Sequence, residues 1–202
     1  MLTQIYHQPN FYHFSQTTIE AARWVSAILR SRLPMVYDVC DLFAGSGVFS
    51  LELIHRLPKY AIHSCNMVEL QPEFKLSLER NSQQVIVQNM VTSTNFYYED
   101  CISYCKKMSN HWHEKSLLLL NPPHFFSSEG KLPKNKSKLR CHFIQENDWQ
   151  ELLGFLEKSP AQIFLQLRWN TQLTERTCEL LGKSIKIFQP LSGNEFLLYI
   201  KS

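Results

Sequence analysis

Two short stretches of this sequence hold residue types that one reaction would need together. Asn121-Pro122-Pro123-His124 directly follows a run of four leucines. The prolines stiffen the backbone and remove two donors, leaving carbonyls free. Asn121 adds a side-chain carbonyl and amide at the same point. Such a set can accept both hydrogens of one planar NH2 group and orient a nitrogen whose lone pair is otherwise delocalised. Positioning and fixed dipoles then do the work of a strong base. His124 offers a flat ring for stacking, with Phe125 or Phe126 beside it. About 80 residues upstream lies Asp41-Leu42-Phe43-Ala44-Gly45-Ser46-Gly47. Gly45 and Gly47 suit close approach of a ligand to the backbone. A helix starting after them would present free N–H groups and positive potential, and Asp41 puts a carboxylate beside the same spot.

Two ligands fit such a loop. A dinucleotide wants G-x-G-x-x-G to seat its pyrophosphate on the helix end, but the third position here is Ser50. S-adenosylmethionine has no phosphate and is cationic at its sulfur and its amino group. It suits an acidic residue and needs no third glycine, so Asp41 favours it. Glu69 lies 22 residues past Gly47, in Asn66-Met67-Val68-Glu69-Leu70. A carboxylate there can accept from ribose hydroxyls, which both ligands carry. In Glu99-Asp100-Cys101, Asp100 is placed either to reach an adenine amino group or to cap a helix.

The elements that must position these residues follow from periodicity and punctuation. Thr17-Thr18-Ile19-Glu20 reads as a capping box opening a helix over 18–31, which Pro34 ends. Strands are expected at 36–43, 61–70, 94–98, 116–120 and 162–167, and helices at 48–55, from Pro72 to about Asn81, from an Asp148 cap onward, and at 171–181. The all-apolar stretch at 116–120 suits a strand buried on both faces. A polar, basic loop is expected after Phe126. The last two strands, 184–188 and 195–200, are joined by too few residues for a crossover and must form an antiparallel hairpin. Alternating strands and helices give an α/β, doubly wound, Rossmann-like sheet with an antiparallel last strand.

The chain has 202 residues, 44% hydrophobic and 19% charged, which suits one globular domain and excludes collagen, coiled coil and disorder. No apolar run approaches the roughly 18 residues of a membrane span. The N-terminus shows no basic start or apolar region of a signal peptide, so a cytoplasmic protein with six reduced cysteines is expected. Cys101-x3-Cys105 with His111 and His113 does not match a zinc pattern, and no metal is expected. The net charge of +3 hides an asymmetry. Lys131, Lys134, Lys136, Lys138 and Arg140 lie within ten residues that hold no acid, while the rest of the chain has 16 bases against 18 acids. Five cations next to a reactive motif suit phosphates. Tyr6, Phe11, Tyr12, His13 and Phe14 form an aromatic N-terminal segment, which would pack on the sheet, cap the cofactor or stack on bases.

On these motifs the sequence resembles the class I S-adenosylmethionine-dependent methyltransferases, in the group carrying Asn-Pro-Pro-aromatic. That group includes adenine-N6 and guanine-N2 nucleic-acid enzymes and release-factor glutamine methyltransferases. The resemblance covers roughly residues 16–202, with 1–15 as an added segment. It implies a seven-stranded sheet and S-adenosylmethionine as cofactor. The implied cofactor-binding set is Asp41, Phe43, Ala44, Gly45, Gly47, Glu69, Leu70, Asp100, Cys101 and Asn121. The implied catalytic motif is Asn121, Pro122, Pro123 and His124, with His124, Phe125 and the five cations from Lys131 to Arg140 meeting the substrate. Phe43 stands where glycine is more usual, and His124 where tyrosine or phenylalanine is usual. The implied substrate is a base amino group in nucleic acid, with RNA the expected target. A protein glutamine amide, or a non-catalytic subunit with a protein partner, stands as the alternative. The assembly would be a monomer or small homo-oligomer.

Overall fold

The four leucines Leu117–Leu120 are fully buried because their strand lies at the centre of the sheet and both its faces are covered. The computed structural model describes residues 5–128 and 133–201. The chain runs α1 (Gln16–Arg30), β1 (Tyr37–Asp41), α2 (Val48–Arg56), β2 (Ile62–Val68), a 3-10 turn at Pro72–Phe74, and α3 (Lys75–Asn89). It continues through β3 (Ser93–Tyr97), α4 (Cys101–Met108), β4 (Ser116–Leu120), β5 (Phe125–Phe126), α5 (Lys136–His142) and β6 (Phe143–Ile144). The last part is α6 (Glu146–Glu157), β7 (Gln162–Arg168), α7 (Gln172–Leu181), β8 (Ile185–Pro190) and β9 (Glu195–Lys201).

Seven strands form one sheet in the order β3-β2-β1-β4-β7-β9-β8. β3, β2, β1, β4 and β7 are parallel, and β9 is antiparallel to both β7 and β8. The short connection after β8 forces this, as the sequence requires. Order reverses between β1 and β4, so their carboxyl ends splay apart and leave a crevice.

Side chains alternate across the sheet. Leu117 and Leu119 pack with Ile19, Leu51 and Leu78 on one face, whereas Leu118 and Leu120 pack with Trp149, Leu152 and Phe196 on the other. Trp149 is fully buried, and its Nε1–H donates to Thr177 Oγ1 at 3.0 Å, which satisfies its one polar atom.

Four local expectations change. The capping box does not form: Ser15 is the N-cap of α1, and Glu20 accepts from the Ser192 N–H at 2.7 Å instead. Thr17 and Thr18 are buried, with their hydroxyls turned toward other groups. The helix expected to end near Asn81 runs to Asn89. Its polar Asn81 and Ser82 are buried rather than terminal: Asn81 Nδ2 donates to the His7 and Ser46 carbonyls, each at 2.9 Å, and Ser82 Oγ to the Leu78 carbonyl. α4 is not among the expected helices, although a cap at Asp100 is. The basic loop is partly helical, because Asn135 caps α5 by accepting from the Ser137 and Lys138 N–H groups at 2.9 and 3.0 Å. No described helix is long and apolar enough to cross a membrane.

Candidate active site

A cleft of about 660 Å³ opens at the carboxyl ends of β1, β2 and β4. Gly45, Glu69 and Asp100 lie on one side, and Asn121 and Pro123 on another. Both motifs therefore face one space, although about 80 residues separate them. Leu139, Arg140 and Cys141 of α5 form a third wall, and Tyr12 of the N-terminal segment a fourth.

The glycine loop is built by backbone geometry. Gly45 and Gly47 have φ of +53° and +80°, a region costly for other residues. Their roles differ. Gly45 lines the cleft, and its N–H donates to Glu69 Oε2 at 2.8 Å. Gly47 faces inward: a Cβ there would lie 2.8 Å from Leu78 and 3.0 Å from Leu51. From the sequence, both glycines are expected at a ligand. The structure gives Gly47 to the approach of α2 and α3, because its missing side chain is what lets them close. Gly47→Val is expected to lower stability by about 2–4 kcal/mol, combining backbone strain and overpacking. A thermal midpoint within a degree of wild type would contradict this.

Two buried carboxyls flank the loop. Glu69 bridges it, with Oε2 on Gly45 N–H and Oε1 on Gln71 N–H, each at 2.8 Å. Burial pushes its pKa up to about 7 against these hydrogen bonds. Asp41 is 1% exposed, and neither of its oxygens has a hydrogen-bond partner of good geometry. Burial pushes its pKa up to about 6, while the Ser50 hydroxyl and the Phe43 and Ser50 N–H groups hold it partly down. Asp41 lies beneath the loop, not on the cleft wall. Asp100 caps α4 by accepting from the Ile102 and Ser103 N–H groups and the Ser103 hydroxyl. Partial burial pushes its carboxyl up, but those bonds outweigh it and hold it below the usual range. It also lines the cleft, so its two expected positions are compatible.

In the proline motif, Asn121 Nδ2 donates to Thr18 Oγ1 at 3.2 Å. Its Oδ1 is left as the acceptor. His124 does not line the cleft. Its Nε2 lies 3.7 Å from Glu195 Oε1, and its side chain is 17% exposed. Phe125 stacks obliquely on Phe143 at 5.8 Å, beneath the Arg168 guanidinium at 5.7 Å. The expected stacking surface of His124 and Phe125 is therefore engaged elsewhere: the pairing of β5 with β6 sets Phe125 against Phe143, and His124 faces Glu195 of β9.

Of the other expected residues, Phe43, Leu70 and Cys101 line the cleft; Ala44 and Pro122 are buried behind it. Among the cations, Arg140 is on the wall, Lys134, Lys136 and Lys138 are exposed, and Lys131 lies outside the described residues. α5 is fastened to the loop after β2 by Ser137 Oγ to Glu73 Oε1 at 2.8 Å and Gln71 Nε2 to Cys141 Sγ at 3.2 Å. Sequence reasoning missed Thr18 and Glu195, and it left Tyr12 unplaced within its segment. The Tyr12 ring meets Phe74 edge-on at 5.3 Å, and burial, with Cys141, Glu69, Glu195 and Asp41 nearby, pushes its hydroxyl pKa upward. No signal in the sequence tied these residues to residues 41–47.

No family model and no curated protein matches the sequence. Solved structures match at low identity over nearly the whole chain. The Escherichia coli protein yhhF, described as a methyltransferase, superposes with a TM-score of 0.61 at 14% identity, over 98% of this chain and 91% of that one. A Pyrococcus horikoshii protein described as an RNA methyltransferase gives 0.58 at 13%, over 96% and 89%. The magnesium protoporphyrin IX methyltransferase of Synechocystis, solved with bound S-adenosylmethionine, gives 0.59 at 13%, over 96% and 88%. The chain thus has the seven-stranded fold, with its antiparallel last strand, of the class I S-adenosylmethionine-dependent methyltransferases.

Proposed function

We propose that this protein is an S-adenosylmethionine-dependent N-methyltransferase acting on an exocyclic amino group of an RNA base. The observation that carries the reading is that Asn121 and Pro123 share one cleft with Gly45 and Glu69.

The residues present fit the cofactor. A buried carboxylate with only weak partners, such as Asp41, is costly unless a positive charge comes near. Glu69 lines the cleft, and its carboxylate, held by the Gly45 and Gln71 N–H groups, would meet the ribose hydroxyls with its remaining lone pairs. Gly45 would take the cofactor against bare backbone, with Phe43, Leu70 and Cys101 around the adenine and Asp100 near its amino group. When bound, S-adenosylmethionine would supply an electrophilic methyl group on a positively charged sulfur. The chain's own part is to hold the acceptor: Asn121 Oδ1 and the Pro122 carbonyl would each take one N–H of the target amine and direct its lone pair. A base in a helix must leave its stack to reach such a cleft.

RNA is favoured by the cations of α5, of which Arg140 forms part of the wall. The Pyrococcus horikoshii neighbour's description as an RNA methyltransferase points the same way. Changing Lys134, Lys136, Lys138 and Arg140 together to Gln is expected to weaken RNA binding and flatten its salt dependence, by about 0.7 in log–log slope for each phosphate no longer neutralised. An unchanged slope would remove α5 from the interface.

The test is radiolabelled methyl transfer from S-adenosylmethionine to total RNA, DNA and protein, with each fraction digested. An N-methylated base in RNA is expected. Label recovered as methylglutamine would install the protein amide reading instead, and no label in any fraction would overturn both.

A further inference from the structure

Asn121 and His124 lie at the two ends of one partly buried polar network, hydrogen-bonded as far as Asn121 and in electrostatic contact at His124. Thr17 Oγ1 donates to Glu195 Oε2 at 2.6 Å, and Gln166 Nε2 donates to the same carboxylate oxygen and, at 3.2 Å, to Thr17 Oγ1. Ser15 Oγ bonds to Thr17 Oγ1 and, at 3.4 Å, to Thr18 Oγ1. Thr18 Oγ1 then accepts from Asn121 Nδ2. The other Glu195 oxygen, Oε1, faces His124 Nε2. These groups come from α1, the loop after β4, β7 and β9, and the start of α1 brings three hydroxyls within four residues.

The chain has a direction. A carboxylate only accepts. The Thr17 hydrogen therefore points to Glu195, the Ser15 hydrogen to Thr17, and the Thr18 hydrogen to Ser15. What Thr18 presents to Asn121 is a lone pair. Asn121 must then offer its NH2 and turn Oδ1 outward, whereas an amide without such a partner is free to flip. At the other end, Glu195 Oε1 lies 3.7 Å from His124 Nε2, beyond hydrogen-bond length, so its negative charge favours a hydrogen on Nε2 through space and leaves the buried Nδ1 as an acceptor with no partner among the described residues. Three charged or titratable groups face His124: Glu195 from β9, Arg168 from β7 and His142 from α5. Burial, with Arg168 and His142, keeps the imidazole neutral against the pull of Glu195.

We propose that Glu195 is a positioning residue for the methyl-acceptor site: through Thr17, Ser15 and Thr18 it sets the amide of Asn121 with Oδ1 toward the acceptor, and it holds His124 as the neutral Nε2–H tautomer. This rests on the N-methyltransferase reading for its catalytic consequence but not for its geometry. His124 is thereby an anchor of the motif, which accounts for a histidine where a stacking ring is usual.

The test pairs ring 15N spectra of the ligand-free protein with methyl transfer to total RNA. In the wild type, His124 is expected to carry its proton on Nε2 at pH 7. In Glu195→Gln that preference is expected to be lost, and methyl transfer at saturating cofactor to fall on the order of 100-fold, as for a misplaced reacting group. S-adenosylhomocysteine affinity and the thermal midpoint should stay at wild-type values, and Glu195→Asp should recover much of the rate. A His124 spectrum unmoved by Glu195→Gln, or wild-type transfer by that variant, overturns the proposal. Should Glu195→Gln fail to fold, Thr18→Val cuts the chain at the Asn121 end without touching the carboxylate. It should lose transfer with its His124 spectrum intact, and full transfer by it overturns the proposal equally. If the wild type methylates nothing, the proposed function fails, and the ring spectra still decide the role of Glu195.

Discussion

Replacing Asn121 by Ala is expected to lower methyl transfer by a factor on the order of 10²–10³, the usual cost of removing one preorganised polar group that acts on the reacting centre. Nδ2 is engaged by Thr18, so Oδ1 is the free acceptor that the side chain brings to the cleft. Its removal leaves the target nitrogen with one anchor, the Pro122 carbonyl, and a lone pair no longer held in line. Cofactor binding should change little, because the loop, Glu69 and Asp100 supply most of the contacts on that side. Calorimetry with S-adenosylhomocysteine should therefore give an affinity within about threefold of wild type, the pattern of an interaction used mainly in the transition state. Equal loss of binding and rate would make Asn121 a cofactor ligand first. Undiminished transfer would remove it from the chemistry.

The second large effect concerns Asp41. Its carboxyl moves from an ordinary 3.8 to about 6 on folding, with burial as the main cause. A raised carboxyl pKa means that the folded state holds the proton more tightly than the unfolded one. Stability linked to Asp41 is thus full below pH 3.8 and is lost as pH rises through about 6. The amount forfeited by pH 7.5 is on the order of 3 kcal/mol. His124 works in the opposite sense, since burial lowers its pKa below 6.5, so the stability it contributes grows as pH rises toward 6.5. Comparison with Asp41→Asn cancels the histidine. The unfolding free energy of wild type minus that of Asp41→Asn should fall by about 2 kcal/mol between pH 4 and pH 7.5, measured by denaturant titration. The same variant should bind S-adenosylmethionine more weakly while affecting S-adenosylhomocysteine less, because only the former carries the sulfonium charge. A pH-independent stability difference would make Asp41 an ordinary solvated carboxylate and remove this account of its place beneath the loop.

These two residues also show how far the sequence can be read. Asp41 and Asn121 stand out by type and by their setting at the ends of apolar strands, and a strand end in an open α/β sheet is where ligands bind. Glu69 stands out by its spacing from the glycines. Thr17 and Thr18 show the opposite. Locally they look like a capping box, and nothing within ten residues contradicts that. Their hydroxyls bond instead to Asn121 and Glu195, across 103 and 178 residues. The basic stretch is legible as charge but not as a helix, because the Asn135 cap and the contacts with Glu73 and Gln71 give seven residues a reason to coil.

The sequence alone determined the alternation of strands and helices, the closing hairpin and the two motifs, because period, turn residues and connection length are local properties. The tertiary structure decided which side chains meet. It placed Gly47 against Leu78 rather than on the cleft wall, turned His124 toward Glu195 rather than the cleft, and brought Tyr12 and Arg140 to its walls. The reason is physical: a buried polar atom must find a partner wherever the packed chain supplies one. Sheet order, not distance along the sequence, decides which partners are in reach.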